Sequence, residues 1–257
     1  MKQENRDAQI ANQLDQAAFS AQATQQISLT HPISLADAYN IQAASLAARH
    51  ERGEQLTGYK LGFTSKAKME QMGVHEIIWG RLTNQMEIQN GGTLRRTQFI
   101  HPRVEPEIAF LIGKKIDRPI QLEEATQFLD GVSGALEIID SRYKDFKFSL
   151  EDVIADNCSS SAYVLGQWHP PTSPVNNLAI QLEINGKVMQ EGSSKAILGH
   201  PLAAFVEITR ILSSRAMAIE PGMIILAGAA TSAVHIHSGD SIKGRFENLG
   251  DISFRVV

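Results

Sequence analysis

Two glutamates, Glu105 and Glu107, stand one residue apart in the apolar segment HPRVEPEIAFLIG, residues 101–113. In a β-strand successive side chains point to opposite faces, so both carboxylates are expected on the same face. The apolar residues that share the other face are Val104, Ile108, Phe110 and Ile112. Neighbouring carboxylates repel each other, and burying them is unfavourable unless a cation compensates their charge. The pattern therefore indicates either a solvated sheet face or a site that recruits positive charge.

A third glutamate, Glu137, occurs in a second apolar segment, GALEIIDSRYKDF, where Leu136 and Ile138 flank it. Three carboxylates that point inward from two strands form an oxygen-rich ligand set suited to Mg²⁺ or Mn²⁺. The alternative is that all three lie on the solvated face of an antiparallel sheet. Pro106 is compatible with that alternative because proline favours edge strands. Strand periodicity alone leaves both interpretations open.

Other polar residues could take part in chemistry beside such a site. Lys60 lies in the predicted strand GYKLGFT, and near a metal its ammonium would donate a hydrogen bond or a proton. It is equally compatible with a surface position. Asp156, in the sequence IADN, is typical of a residue that caps or ends a helix. His235 and His237 are spaced like a pair of metal ligands, but without a third ligand nearby they indicate a turn.

Composition and missing motifs exclude several classes of protein. The chain has 257 residues and a net charge of −4 without a basic stripe, so nucleic acid is not an expected partner. No apolar run approaches ~18 residues, and we predict no membrane span. The single cysteine, Cys158, and a polar N-terminus indicate a cytoplasmic protein. Nucleotide-binding glycine loops and the G-x-S-x-G elbow of hydrolases are absent from the sequence.

The predicted elements divide the chain into a helical N-terminal cap region, residues 1–55, and a β-rich catalytic body, residues 56–257. In the first part a helix is predicted to begin at Ser34, with Asp37 completing a capping box, and to end at Gly53. The pair Asn185-Gly186 predicts a two-residue hairpin. The helices predicted in the body are SKAKMEQMG, QLEEATQFLDG, SLEDVIADN and PLAAFVEITRILSSR. The strands predicted there are GYKLGFT, VEPEIAFLIG, GALEIID, SAYVLG, LAIQLEI, KVMQEG, MIILAG, SIKGRFENLG and DISFRVV, which together indicate an α+β fold.

From about Gly53 to the C-terminus, the sequence resembles the 2-oxo-acid hydratase/decarboxylase branch of the fumarylacetoacetase-like superfamily. The segments that carry the resemblance are YKLGFTSKAKMEQMGV, IIWGRLT, HPRVEPEIAFLI, LEIIDSRYKDFKFSLEDVIADN and LGHP. The resemblance implies a mixed β-roll or distorted barrel with flanking helices. It also implies that Glu105, Glu107 and Glu137 hold Mg²⁺ or Mn²⁺, and that Lys60 is an active-site group.

The activity that the resemblance implies is metal-dependent loss of CO₂ from 2-oxo-3-hexenedioate, giving 2-hydroxypenta-2,4-dienoate in the meta-cleavage degradation of aromatic compounds. The alternative is the sister activity, hydration of 2-hydroxypenta-2,4-dienoate. Those hydratases have Asp-Phe where this chain has Ile78-Trp79. An acid/base carboxylate serves hydration, whereas an apolar pocket favours the release of neutral CO₂. Ile78 and Trp79 are therefore expected in the substrate pocket and favour decarboxylation.

Further roles follow from the same resemblance. Arg142 is expected either to bind a substrate carboxylate bidentately or to pair with Asp140 or Asp145. Asp156 is a candidate catalytic residue, and Ser159 is a candidate neighbour of the substrate. The implied partners are a 2-oxo diacid substrate and other subunits, as a homo-oligomer or in a complex with the hydratase that consumes the product. A 1,3-diketo-acid hydrolase and a non-enzymatic scaffold subunit remain as further alternatives.

Overall fold

Two helices precede the first strand of the protein. The structure is a computed structural model that describes residues 3–65 and 77–257, so the helix predicted in SKAKMEQMG lies mostly outside the described residues. Helix α1 spans Gln3–Ser20 and helix α2 spans Leu35–Glu51. The capping box predicted for α2 is confirmed, because Ser34 Oγ accepts from the Asp37 amide and the Ser34 amide donates to Asp37. The division at residues 55 and 56 stays a prediction, although strand β1 begins at Leu56.

The larger sheet carries six of the residues predicted for the site, Lys60, Ile78, Trp79, Glu105, Glu107 and Glu137. Its strand order is β2-β1-β10-β5-β6-β7-β3, and β11 pairs with β5. The strands of this sheet are β1 (Leu56–Gly62), β2 (Ile78–Thr83), β3 (Glu87–Ile88), β5 (Arg103–Ile112), β6 (Leu129–Ile139), β7 (Ser160–Leu165), β10 (Ile224–Ala229) and β11 (Val234–His235). Most pairs are antiparallel, whereas β1 pairs with β10, and β3 with β7, in parallel. The sheet is therefore mixed.

The smaller sheet covers one face of the larger one, in the strand order β4-β13-β12-β8-β9. Its strands are β4 (Thr93–Leu94), β8 (Ala179–Ile184), β9 (Lys187–Ser193), β12 (Ser241–Phe246) and β13 (Gly250–Val256). Asn185 and Gly186 join β8 to β9 with φ values of 54° and 77°, as a two-residue hairpin turn requires. One buried apolar cluster includes residues of both sheets, so the main core lies between them.

Two further helices pack on the body, α3 at Leu150–Ala155 and α4 at Pro201–Ser213. The segment predicted as a helix at QLEEATQFLDG is a 3₁₀ helix over Leu122–Phe128, followed directly by β6. By length and composition alone, the stretch Ser194–Ser213 is apolar enough to cross a membrane. Its side chains Phe205, Ile208 and Leu212 are buried in the main core, as expected for the core helix of a globular fold. The α+β prediction is confirmed.

The interpretation of Pro106 as an edge-strand residue is wrong. Strand β5 is central, with β6 on one side and β10 and β11 on the other. The carbonyl of Pro106 accepts from the Ala230 amide, which lies between the ends of β10 and β11. In an antiparallel strand the N–H and C=O of one residue point to the same neighbouring strand. The nitrogen of Pro106, which has no hydrogen, therefore faces the gap between β10 and β11, where no ladder hydrogen bond is needed. A central strand therefore accommodates Pro106 without losing a regular ladder hydrogen bond.

Candidate metal centre and active site

The three glutamates predicted on two strands lie together in the structure. Glu105 on β5 pairs directly with Glu137 on β6, and Glu107 lies two residues further along the same face. One carboxylate oxygen from each lies within 4.8 Å of the others. Glu107 and Glu137 are fully buried, and Glu105 is only 8% exposed. The alternative of a solvated sheet face is therefore wrong.

An irregularity in β10 fixes the orientation of Glu107. The pairing of β10 with β5 shifts register between Leu226 and Ala229, which leaves the Gly228 amide free to donate to Glu107 Oε2 at 2.7 Å. Gly228 has a φ of +102°, and a Cβ atom there would collide with the side chain of Thr64. Glycine is thus the residue that lets this backbone approach the carboxylate closely.

The electrostatics of the cluster are dominated by buried like charges. Burial raises the pKa of Glu107 well above its usual value, and the charges of Glu137 and Glu105 raise it further. Burial also raises the pKa of Glu137, while the neighbouring Lys60 acts to lower it. Lys60 Nζ lies 3.0 Å from Glu137 Oε2, and both side chains are almost inaccessible to solvent. Burial acts to lower the pKa of Lys60, but the three carboxylates outweigh it and raise the pKa above its usual value.

This ligand set fits a divalent cation. When ionised, the three carboxylates and Lys60 carry a net charge of −2, which one divalent cation neutralises. Glu107 Oε1 and Glu137 Oε1 are buried, and neither has a hydrogen-bond partner among residues 3–65 and 77–257. A buried carboxylate oxygen without a donor is unfavourable unless a cation completes its environment. All three ligands are carboxylates, which suits Mg²⁺, Mn²⁺ or Ca²⁺ better than a soft metal.

A cavity of about 310 Å³ opens over this cluster. Four of the residues selected from the sequence line it, Lys60, Ile78, Glu105 and Ser159. The Ser159 hydroxyl is buried and has no hydrogen-bond partner in the part of the chain that the structure describes. Much of the remaining lining is apolar, and it includes Ile139, Phe146, Phe148, Val153, Ala229 and Ala233. The cavity thus combines polar groups at Lys60, Glu105 and Ser159 with apolar walls.

Ser159 reaches the cavity from an unusual backbone turn. Asn157, Cys158 and Ser159 have φ values of 50°, 52° and 58°, which place three consecutive non-glycine residues in the left-handed region. Such residues are strained and persist only where the surroundings hold them. The Asn157 side chain accepts from the Arg81 amide at 2.7 Å and donates to the Arg81 carbonyl at 2.8 Å. The Cys158 thiol donates to the Trp79 carbonyl at 3.1 Å.

Arg142 and Asp156 do not line this cavity. They form a buried ion pair in which Arg142 Nε donates to Asp156 Oδ1 and the Arg142 amide donates to Asp156 Oδ2 at 3.0 Å. Burial raises the pKa of Asp156 to about 6, although Arg142 acts to lower it. Arg142 also donates to the carbonyl of Asp140 and to Ser161 Oγ. Its partner is therefore Asp156, rather than the side chain of Asp140 or Asp145.

Trp79 also lies away from the cavity, because it alternates with Ile78 on β2. Its ring is buried and stacks on Tyr39 with centroids 5.0 Å apart. The guanidinium of Arg81 lies 4.7 Å from the ring centroid. Ile78 faces the cavity, and Trp79 packs on the other side of the strand. Of these two residues expected in the substrate pocket, only Ile78 lines the cavity.

Arg103, which was not among the residues predicted for the site, also lines the cavity. The guanidinium lies 3.9 Å from the ring centroid of Phe146, and Nε is buried without a hydrogen-bond partner among the residues described. Burial lowers the pKa of Arg103, and the charge of Glu105 partly offsets this effect. The alternation that selected Glu105 and Glu107 includes Arg103 at the preceding position on the same face. The signal was therefore present in the sequence R-x-E-x-E.

The fold and the buried carboxylate cluster define a class of protein. Residues 58–257 match the model of the fumarylacetoacetate (FAA) hydrolase C-terminal family. The chain belongs to this family, as the resemblance of its motifs predicted.

Within this family, the chain is similar to individual decarboxylases and hydratases over almost its whole length. The chain is 47% identical to 4-oxalocrotonate decarboxylase of Pseudomonas sp. over 247 residues, which cover 96% of each chain. It is 32% identical to 2-hydroxyhexa-2,4-dienoate hydratase of Comamonas testosteroni, with 94% of each chain covered. Its structure superposes on 4-oxalocrotonate decarboxylase from Pseudomonas putida G7, complexed with magnesium and adipate, with a TM-score of 0.96. That match has 32% identity and covers 99% of this chain and 98% of the other.

Proposed function

We propose that this chain is a metal-dependent decarboxylase of 4-oxalocrotonate, that is 2-oxo-3-hexenedioate, in the meta-cleavage degradation of aromatic compounds. The observation that carries the proposal is the buried cluster of Glu105, Glu107 and Glu137 beside Lys60, which meets a largely apolar cavity at Lys60 and Glu105. The 47% identity to a protein named 4-oxalocrotonate decarboxylase supports it. The products are 2-hydroxypenta-2,4-dienoate and CO₂.

The three glutamates would hold the metal at the end of the cavity where the 2-oxo-acid group binds. Mg²⁺ or Mn²⁺ held there supplies Lewis-acid stabilisation of the negative charge that develops on the C2 oxygen. When the C5–C6 bond breaks, its electron pair moves through the conjugated chain to the C2 oxygen. The C6 carboxylate leaves as neutral CO₂, and one proton is taken up at the C2 oxygen.

Lys60 is the proposed source of that proton or of a hydrogen bond to the C2 oxygen. Its ammonium is buried, lines the cavity and lies 3.0 Å from Glu137 Oε2. The surrounding carboxylates keep it protonated, since they raise its pKa. A fixed cationic donor beside an oxygen that gains negative charge lowers the barrier by preorganised electrostatics. Glu137 also restrains the lysine, and it fixes the ammonium close to the metal ligands.

Ile78 favours decarboxylation over the sister hydration reaction. It presents an apolar side chain to the cavity, where a hydratase would use a carboxylate for acid/base chemistry with water. An apolar side chain at this position cannot exchange a proton with water, and it adds no negative charge that would repel a dianionic substrate. Hydratase activity is the second candidate, because relatives named as hydratases reach 32% identity over almost the whole chain.

The other residues selected from the sequence are assigned supporting roles in this proposal. Ser159 offers its unpartnered hydroxyl to the substrate from the left-handed turn. Asp156 and Arg142 position this turn through their ion pair, and the Trp79 carbonyl holds the turn by accepting from the Cys158 thiol. These three residues therefore do not contact the substrate. They hold the turn that presents Ser159 to the cavity.

The assembly and the location of the enzyme belong to the same proposal. A soluble, cytoplasmic oligomer would suit an enzyme with a small dianionic substrate. The product is a reactive dienol, and a complex with the hydratase that consumes it would shorten its lifetime in free solution. The hydratases similar to this chain make such a partner chemically consistent. Size measurement of the chain with and without a hydratase tests the association directly.

The first experiment is to measure CO₂ release from 2-oxo-3-hexenedioate by the purified chain, with Mg²⁺ and then with excess chelator. Metal-dependent release supports the decarboxylase and the glutamate site together. If no CO₂ is released but 2-hydroxypenta-2,4-dienoate disappears in a metal-dependent reaction, the chain is a hydratase. Loss of both activities in a folded, metal-loaded preparation rules out both candidates.

A further inference from the structure

We infer that Arg103, held over the ring of Phe146, is the residue that selects a dicarboxylate by binding its distal carboxylate. This inference rests on the proposed function, because it needs the 2-oxo-acid end of the substrate to lie at the three glutamates. It assigns to Arg103 the role that sequence analysis gave to Arg142. The guanidinium of Arg142 is instead committed to Asp156 inside the fold.

The charge of the cavity supports a second anionic group on the substrate. Among the described lining residues, the charged side chains are Lys60, Arg103 and Glu105. A divalent cation bound by Glu105, Glu107 and Glu137 would, together with Lys60, neutralise the negative charge of the three carboxylates. Arg103 would then remain as one uncompensated positive charge in a partly buried cavity. A buried cation without a counter-ion is unfavourable, and an incoming carboxylate removes that cost.

The position of Arg103 matches the length of the substrate. Arg103 and Glu105 are alternate residues of β5, so their Cα atoms are roughly 7 Å apart along the strand. A six-carbon chain spans roughly 6 Å at ordinary carbon–carbon bond lengths. A diacid whose 2-oxo-acid end lies at Glu105 therefore reaches Arg103 with its other end. A five-carbon monoacid, the decarboxylated product, has no group to bind there.

Phe146 orients the Arg103 guanidinium for binding a carboxylate. The Arg103 guanidinium lies 3.9 Å from the ring centroid, which holds its plane in one orientation. Phe146 is itself fixed between His101 and Phe148, with ring centroids at 5.0 and 5.9 Å. Its φ of 58° is strained for a bulky residue, so the local turn holds this ring in place. A preorganised, weakly hydrated guanidinium binds a carboxylate more strongly than a mobile one.

Binding of the distal carboxylate by Arg103 should affect KM and kcat differently. An interaction with the carboxylate of the substrate is lost when that group leaves as CO₂, so it favours substrate over product. It stabilises the ground state, and its removal should raise KM far more than it lowers kcat. Arg103 is therefore a specificity-determining residue, and the proton-transfer chemistry stays with Lys60.

The test compares the binding of two saturated 2-oxo acids, 2-oxoadipate and 2-oxohexanoate, by calorimetry with Mg²⁺. They differ only in the distal carboxylate, and neither has the conjugated double bond that this decarboxylation requires. Arg103→Met is expected to weaken 2-oxoadipate about 100-fold, as for loss of a buried charge pair, and to leave 2-oxohexanoate within about twofold. Phe146→Leu is expected to weaken 2-oxoadipate about fivefold, because the cation–π contact is lost. Arg118→Met, at an exposed arginine, is the matched control and should change neither.

Each outcome has a distinct meaning. Equal weakening of both ligands by Arg103→Met would overturn the inference, because it indicates a general structural role. No change in either ligand would overturn it as well. If wild-type protein with Mg²⁺ binds neither acid, the proposed function itself fails. Steady-state kinetics with 2-oxo-3-hexenedioate then provide a second readout, in which a fall in kcat at unchanged KM would contradict a role in binding the distal carboxylate.

Discussion

Glu105 and Glu137 face each other directly across two neighbouring antiparallel strands, and both are buried. Like charges at opposed positions destabilise a sheet, and burial makes the repulsion stronger. Lys60 offsets part of this charge through its contact with Glu137. The fold therefore holds an arrangement that is unfavourable by itself and becomes favourable when a divalent cation binds. Stability and metal binding should for this reason be coupled.

We expect Mg²⁺ to raise the melting temperature and a chelator to lower it. Ligand binding to the native state alone adds about 2.7 kcal/mol at a free concentration of 100 Kd. In Glu107→Gln the shift with Mg²⁺ should be lost, while the melting temperature in chelator should not fall. The glutamine oxygen can still accept from the Gly228 amide, and one buried like charge has been removed. Thermal unfolding with and without Mg²⁺ measures both effects.

Glu123→Gln is the matched control, because Glu123 is an exposed carboxylate outside the cluster. It should keep the full response to Mg²⁺. A Glu107→Gln protein that binds Mg²⁺ with wild-type affinity in a calorimetric titration would show that this carboxylate is not a ligand.

Replacement of Lys60 should affect turnover more than folding. Lys60→Met keeps the length and the apolar stem of the side chain but removes the cation that we propose as the donor to the C2 oxygen. We expect kcat to fall by about 10²- to 10⁴-fold, the usual range for loss of a general acid. The circular dichroism spectrum with saturating Mg²⁺ should stay close to that of wild type, because the metal still offsets the charge of the glutamates. Unchanged steady-state kinetics would remove Lys60 from the mechanism.

The strand pattern was sufficient to predict that the three glutamates share strand faces, but it left open whether those faces are buried or solvated. Period-2 alternation places Glu105, Glu107 and Glu137 on single faces of their strands, and the structure brings those faces together. The pattern did not predict that Ile78-Trp79 forms part of a strand, because the segment IIWGRLT lacks polar alternation. Its strand β2 is buried along its whole length, so hydrophobic periodicity could not reveal it.

The partners of Arg142 and Arg103 could not be predicted from local sequence. Arg142 and Asp156 are 14 residues apart and meet because α3, which ends just before Asp156, returns the chain to the end of β6. Arg103 faces Phe146 because the turn after Arg142 carries that ring back over β5. Such contacts depend on the course of the chain in three dimensions. The short-range periodicity of strands and helices carries no information on them.

The ion pair of Arg142 with Asp156 should stabilise the protein without taking part in chemistry. Arg142→Met leaves a buried carboxylate unpaired, and we expect a loss of about 3–5 kcal/mol. The double variant Arg142→Met/Asp156→Leu should be more stable than Arg142→Met, because no unpaired charge then remains. Denaturant unfolding of wild type, both single variants and the double variant gives the coupling energy. A stable Asp156→Asn protein with kcat reduced more than about 100-fold would instead assign Asp156 to catalysis.

Asp152 on α3 connects the N-terminal region to the body, and it should make stability depend on acid pH. Its carboxylate accepts from the Ser28 amide at 2.9 Å, from Ser28 Oγ at 2.6 Å and from Gln26 Nε2 at 3.1 Å. Burial acts to raise the pKa of Asp152. Hydrogen bonds from Ser149, Ser28 and Gln26 outweigh this effect and lower the pKa below its usual value. The folded state therefore binds the proton more weakly than the unfolded chain does.

For a carboxyl group with a lowered pKa, the added stability is present above the unfolded pKa of about 3.9 and is lost as the pH falls through the folded pKa. Asp152→Asn should lower the free energy of unfolding by about 2 kcal/mol at pH 7, because charge-assisted hydrogen bonds are weakened. The difference from wild type should shrink as the pH falls below about 4, since the wild-type carboxyl is then also neutral. Asp117→Asn, at an exposed aspartate, should show neither effect. Denaturant unfolding between pH 7 and pH 3 measures this convergence, and a difference that stays constant over this range would contradict the proposed role of the charge.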